Sequence, residues 1–136
     1  MDNCVFCKIV KGEIPCHKVF ENDDVLAFLD IEPCSDGHTI VIPKRHIEHF
    51  EDMSPEYSGK LFSGVNKVYR EVLKKLKIPA ANVGFNNHAP AGQVVSHMHV
   101  HIIPRRDDDE GGSMHSIVKI DGAADYVKEN AKLFSS

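Results

Sequence analysis

The 136-residue chain contains no run of 18 or more apolar residues, so no transmembrane helix is expected. Its opening, MDNCVFCKIV, lacks a basic region followed by a long apolar stretch and a small-residue cleavage site, and is not expected to act as a secretory signal. No repeat, low-complexity tract or break in composition divides it, which predicts one domain over residues 1–136. The basic residues are scattered and the net charge is −4, which argues against a duplex nucleic-acid binder built on phosphate contacts. A small anionic ligand stays compatible, because a local site need not carry the sign of the whole. What is present is 42% hydrophobic residues, enough for a core, and four cysteines. Without a leader, those cysteines suit a reducing setting, cytoplasmic or, in a eukaryote, also nuclear. There disulfides are rare, and paired cysteines more often bind metal or do redox work.

Hydrophobic periodicity orders the chain. Residues 4–10 suit a short helix ending at Gly12. HKVFEN (17–22) and DVLAFLD (24–30) read as two strands around an Asn22-Asp23 turn, and HTIVIP (38–43) as a β-branched strand. Ser54-Pro55 supplies a capping residue with proline at the first helical position. Apolar residues at 57, 61, 65, 68, 72 and 76 then step by three or four, predicting a helix with one buried face that ends near Lys77. NVGFNN (82–87) reads as a strand, and residues 121–134 as a weaker terminal helix. Hairpin, strand, long helix and hairpin in that order predict an antiparallel α+β fold. RRDDDEGG (105–112) is acidic, but its spacing does not fit an EF-hand, and it is expected to be a solvated surface loop.

SHMHVHII (96–103) carries the chemistry. Strict alternation predicts a half-buried strand with His97, His99 and His101 on one face and Met98, Val100 and Ile102 on the other. At about 3.3 Å per residue the imidazoles stand roughly 6.6 Å apart. Such a row is either a metal comb or a line of groups addressing one extended anion. The preceding APAGQ turn could cradle phosphate with backbone N–H groups. CVFC (4–7) by itself fits a redox dithiol or half a zinc site, and the absence of a βαβ pattern after it weakens the redox reading.

GQVVSHMHVHIIPR resembles the signature of the histidine-triad (HIT) family of nucleotide hydrolases and transferases. CVFCKIVKGEIP, AFLDIEP, GHTIVIPKRH and VGFNN are similar to further family segments in the same order, so the resemblance spans roughly residues 3–105. It implies a five-stranded antiparallel sheet with one long helix and a short C-terminal helix. Asn86, thirteen positions before the central histidine, is similar to the Hint-like, purine nucleoside phosphoramidase branch.

By that resemblance His99 is the nucleophile, His101 binds phosphoryl oxygens and His38 hydrogen-bonds within the same site. The activity implied is hydrolysis at the α-phosphorus of a purine mononucleotide, such as adenosine 5'-phosphoramidate, through a nucleotidyl-histidine intermediate. Attack by a neutral imidazole divides one hard hydrolysis into two easier displacements. Asp30 matches the carboxylate that receives the ribose hydroxyls. Phe6, Ile9, Ile14, Phe28 and Ile31 match the apolar enclosure of the purine, and Asn86 the amide on the ribose-phosphate side. Gly92, Gln93 and Val94 supply main-chain N–H groups to phosphate. Many Hint-like sequences carry serine where this chain has Val94, which leaves the leaving-group preference open.

Some microbial members pair an N-terminal CxxC with two histidines, which here implies structural zinc on Cys4, Cys7, His46 and His97, and no organic cofactor. Cys16 and Cys34 have no such partners. The family also implies a homodimer joined through residues 54–76 and 82–87. Cleavage of dinucleoside polyphosphates or nucleotidyl transfer is the second enzymatic reading. A nucleotide- and zinc-binding interaction module with incidental hydrolysis is the non-enzymatic one, and a metal enzyme built on three strand histidines ranks last.

Overall fold

The apolar runs between residues 18 and 43 form the first three strands of the sheet in a computed structural model, which describes residues 3–135. β1 (Lys18–Glu21) and β2 (Val25–Leu29) make the expected hairpin. Its turn is set by the Asn22 side chain, whose Oδ1 accepts from the N–H groups of Asp24 and Val25, each at 2.9 Å. β3 (Thr39–Pro43), β4 (Ala80–Gly84) and β5 (Val100–Arg105) complete a five-stranded antiparallel sheet in the order β1-β2-β3-β5-β4. β4 begins and ends earlier than its hydrophobic pattern predicts. Residues 85–87 leave the sheet, and Asn87 Oδ1 instead accepts from Phe50 N.

One face of the sheet is closed by the long helix and the other only in part, which places the site. α1 (Val5–Val10) is short, and α2 (Pro55–Leu76) is the long helix. Ser54 caps α2, its hydroxyl oxygen accepting from Tyr57 N at 3.1 Å. Lys77, in the left-handed conformation, ends it. Tyr57, Leu61, Val65, Val68 and Val72 pack with Val25, Ala27, Val41, Val100 and Ile102. Gly64 lets helix and sheet touch, since a Cβ there would lie 2.8 Å from Val25 Cγ2. The buried face drifts at the last turn, so Leu73 is buried and Leu76 is 39% exposed. On the opposite face Leu26, Phe28, Ile40 and Ile42 meet Phe6 of α1, with Ile9, Val10, Cys4, Cys16 and Val95 packed against them only in part, which leaves room beside Phe6. α3 (Ala123–Ala131) buries no residue.

One expectation changes. The histidine strand starts at Val100, not at Ser96. Before it, Met98 N donates to Ile47 O at 2.7 Å, and His97 is fully buried on the same side as His99, with the Phe6 ring against both. The alternation of faces holds all the same, since Met98, Val100 and Ile102 enter the core under α2. The acidic loop is exposed over residues 106–112, as expected, and is held by internal bonds. Asp109 accepts from Arg105 Nε at 2.6 Å and Nη2 at 2.9 Å, and from the N–H groups of Arg106 and Gly111.

Candidate active site

The open part of the sheet face carries an ordered set of imidazoles. His101 projects from β5 between Ile40 of β3 and Gly84 of β4, and His99 precedes the strand with its ring centroid 5.1 Å away. His99 Nδ1 lies 2.8 Å from His97 O. A carbonyl only accepts, so Nδ1 carries the proton and a neutral His99 keeps its lone pair on Nε2.

His38, immediately before β3, sets the second tautomer. Its Nδ1 accepts from Cys34 N at 3.2 Å, with Cys34 Sγ at 3.4 Å. His38 Nε2 must then hold the proton, which it donates to His101 Nδ1 at 2.9 Å. That leaves His101 with its proton on Nε2. Both rings need to be neutral for this chain, and their surroundings favour it. Burial, then the neighbouring His99 and His38, push His101 down to about 4. Burial likewise lowers His38, with Asp30 opposing. Asp30 Oδ2 lies 3.6 Å from His38 Nε2, and its Oδ1 accepts from Glu32 N at 2.8 Å.

A cavity of about 520 Å³, ample for a mononucleotide, runs from these rings to α1. Phe6, Ile9, Ile14 and Phe28 form its apolar end, and Ile31, 85% exposed, stands at the rim. Phe6 is buried edge-on against Phe28 at 5.7 Å and His99 at 5.1 Å, so it both walls the cavity and packs the candidate nucleophile. Asp30, Asn86, Gly92 and Val94 line the cavity with His99 and His101. Gly92 sits at φ 102, and the Asn86 side chain lies alongside it.

Gln93 alone among the expected ligand-facing residues does not line the cavity. Its side chain braces the loop, accepting from His88 N and donating to Glu48 O and Val95 O. Val5, Pro15, Cys16, Leu29, Glu32, Ile40 and Val95 join the lining without having been expected. Ile40 pairs in register with Phe28, so strand alternation was the available signal for it. Cys34, read from sequence as unpaired and outside the zinc set, is a free cysteine that touches His38, a contact no sequence signal marks.

Cys4, Cys7, His46 and His97 converge at a second centre behind Phe6. Their ligand atoms all lie within 4.8 Å of one another. Cys7 Sγ is 3.2 Å from His46 Nδ1, and His97 Nδ1 is 3.4 Å from Cys4 Sγ and 3.6 Å from Cys7 Sγ. Bonds of about 2.0–2.3 Å around a tetrahedral zinc would separate sulfur and nitrogen by about 3.5 Å, so the spacing fits. The outer hydrogen bonds fit as well. His97 Nε2 donates to Pro43 O at 2.8 Å, which leaves Nδ1 as the free donor atom, and His46 Nε2 faces Glu48 Oε1 at 3.7 Å. Burial and the Cys4 thiol raise the Cys7 thiol, a direction that a bound cation reverses. His97 thus belongs to this centre, and the three alternating histidines serve two sites.

The fold and site define an α+β protein that presents tautomer-ordered imidazoles on the floor of a mononucleotide-sized cavity. The HIT domain family model matches residues 11–108, and the chain belongs to the HIT family. It is 50% identical over 106 residues to an uncharacterized HIT-like protein of Methanocaldococcus jannaschii, covering 78% of this chain and 81% of that protein. It is 44% identical over 109 residues to an adenosine 5'-monophosphoramidase of Schizosaccharomyces pombe, covering 80% and 79%. The crystal structure of SMU.412c from Streptococcus mutans superposes with a TM-score of 0.87 at 40% identity, covering 98% of this chain and 84% of that one.

Proposed function

We propose that the protein hydrolyses purine nucleoside 5'-phosphoramidates, with His99 as the nucleophile. The observation that carries this is the His99 Nδ1–His97 O hydrogen bond, which keeps the Nε2 lone pair of the neutral ring available beside the cavity. The purine would lie among Phe6, Ile9, Ile14 and Phe28, the ribose hydroxyls on Asp30, and the phosphate between His101 and the Gly92–Val94 main chain. His99 Nε2 bonds to phosphorus as the P–N bond breaks, and the departing amine takes up a proton from solvent. Water then attacks phosphorus, the P–His99 bond breaks, and the nucleoside monophosphate leaves. His101, with its proton on Nε2, donates to the phosphoryl oxygens in both steps and strengthens as charge builds there. The similarity to the S. pombe phosphoramidase supports this substrate class.

Zinc on Cys4, Cys7, His46 and His97 would be structural, since four protein ligands leave no open position. It would hold α1, and with it Phe6, against His99. We include a homodimer through α2 and β4 in the same reading, since pairing enlarges the core of a small domain; a light-scattering mass of a single chain would count against it. The test of function is turnover of adenosine 5'-phosphoramidate with an acid quench. Wild type should carry an acid-labile nucleotide label that the His99→Gly variant lacks. That variant should lose turnover yet bind AMP within a few-fold of wild type, because a nucleophile acts mainly in the transition state. Near-wild-type turnover by His99→Gly would overturn the assignment.

A further inference from the structure

The loop that brings Gly92 and Val94 to the cavity is built around one residue, His88. It contains a single 3-10 turn, Ala89–Ala91, closed by Gly92. His88 O accepts from the N–H groups of Ala91 at 3.1 Å and Gln93 at 3.2 Å, and Gly92 N donates to Ala89 O at 2.9 Å. These bonds make the turn a unit centred on His88. Val94, the next residue, lines the cavity, and no acceptor for its N–H is seen among the described residues.

His88 stands in a backbone conformation, φ 72 and ψ 158, that is otherwise nearly confined to glycine. Its side chain supplies the compensation. Nε2 donates to Glu51 Oε2 at 2.5 Å, and the ring lies flat on His49, with centroids 3.8 Å apart and planes 8° from parallel. His49 Nδ1 in turn faces Asp52 Oδ2 at 3.5 Å. The other oxygen of Glu51 accepts from Asn87 Nδ2 at 2.9 Å. The Asn87 amide, the N–H of Glu51 itself and the His88 ring push the Glu51 carboxyl down to about 2, so it stays charged. All of these contacts lie within one chain.

We propose that Glu51, which does not line the cavity, is a positioning residue for the substrate's phosphate. Its carboxylate grips two consecutive residues of the loop, Asn87 and His88, and so fixes the Val94 N–H and the neighbouring Asn86 amide where a phosphoryl oxygen meets them. Donors held in place beforehand bind an anion without being ordered at that moment. Without the carboxylate, His88 relaxes out of its strained conformation. The N–H groups bonded to its carbonyl move with it, and Val94 follows. This rests on reading the cavity as a nucleotide site, and adds to that reading a residue outside the cavity.

The test measures affinity by calorimetry for AMP and for adenosine, which differ only by the phosphate. The Glu51 and His88 side chains are 58% and 45% exposed, so both can be replaced without disturbing the core. Glu51→Ala should weaken AMP by about tenfold, the scale of one charged hydrogen bond, and adenosine by less than twofold. His88→Ala, which removes the ring but keeps a Cβ, should lose about as much. Adding His88→Gly to Glu51→Ala should instead tighten AMP severalfold, because glycine takes up φ 72 without help from a side chain. Equal losses for AMP and adenosine, an AMP loss under twofold in Glu51→Ala, or a double variant no tighter than Glu51→Ala would overturn the proposal. So would wild type binding AMP no tighter than adenosine. Wild type that binds AMP yet leaves adenosine 5'-phosphoramidate intact would remove the hydrolase reading alone, and the affinities would still decide the role of Glu51.

Discussion

Replacing His38 by alanine removes the only proton donor to His101 Nδ1 seen among the described residues and leaves the His101 ring free to choose its tautomer. Both neutral forms then become available, so the fraction carrying the proton on Nε2 falls about twofold. The abandoned Nδ1 is half-buried, and loss of a neutral hydrogen bond costs about 0.5–1.5 kcal/mol. Together these predict a loss in kcat/KM of roughly 5- to 30-fold, at 1.4 kcal/mol per factor of ten. The loss should fall partly on KM, because His101 would hold phosphate in the ground state as well. His38→Gln is the informative partner, since its amide N–H reaches about as far as Nε2 and should recover most of the loss. Steady-state kinetics on adenosine 5'-phosphoramidate, with thermal melts to confirm folding, makes the measurement. A change under twofold in His38→Ala would refute the hydrogen-bond chain. A loss beyond a thousandfold would refute a role limited to positioning, and glutamine no better than alanine at equal stability would do the same.

Asp30→Ala should weaken a ribonucleotide by about 10- to 100-fold relative to its 2',3'-dideoxy analogue, since a charged acceptor contributes about 1.5–3 kcal/mol; equal losses by calorimetry would point to packing instead. Protein purified without chelator should hold one zinc per chain by elemental analysis. Stripping that metal should lower the melting temperature while leaving the order of catalytic variants unchanged, because metal binding is linked to folding. The pH dependence of the metal-free protein follows from three lowered histidines, His38, His97 and His101. Above about pH 6.5 they are neutral both folded and unfolded. As pH falls from 6.5 toward 4, the unfolded rings take up protons that folded His101, His97 and His38 resist, so stability should drop, by at most about 1.4 kcal/mol per pH unit for each ring. Denaturation of metal-free protein at pH 7, 6 and 5 measures this; in His38→Ala the slope should be shallower.

Much of the architecture was legible locally. A capped, proline-started helix with apolar residues every third or fourth position can bury only one face, and α2 follows that instruction through four of its turns. The Asn22 turn and the β-branched runs around it specify the hairpin for equally local reasons, since side-chain bonds to backbone within three residues need no tertiary partner. Residues that come together at the cavity were also legible: the motif and its companion segments named His99, His101, Asp30 and Asn86, which line it, and His38, which touches His101.

Tertiary structure decided everything that depends on where side chains turn. Alternation puts His97 on the face it shares with His99, and what joins it to a different centre is its contacts with Cys4, Cys7 and Pro43 O, 54 to 93 residues apart in sequence. The tautomers of His38 and His101 come from a contact across 63 residues and from a Cys34 N–H that periodicity does not mark. The acidic run is the exposed loop its composition predicts, but the bond from Arg105 to Asn82 of the neighbouring strand exists only once the fold brings them within reach. Local periodicity encodes which face a residue is on, because it reflects one backbone dihedral pattern. Which atom of a ring holds its proton, and what a loop leans on, depend on partners that only chain folding brings within 3 Å.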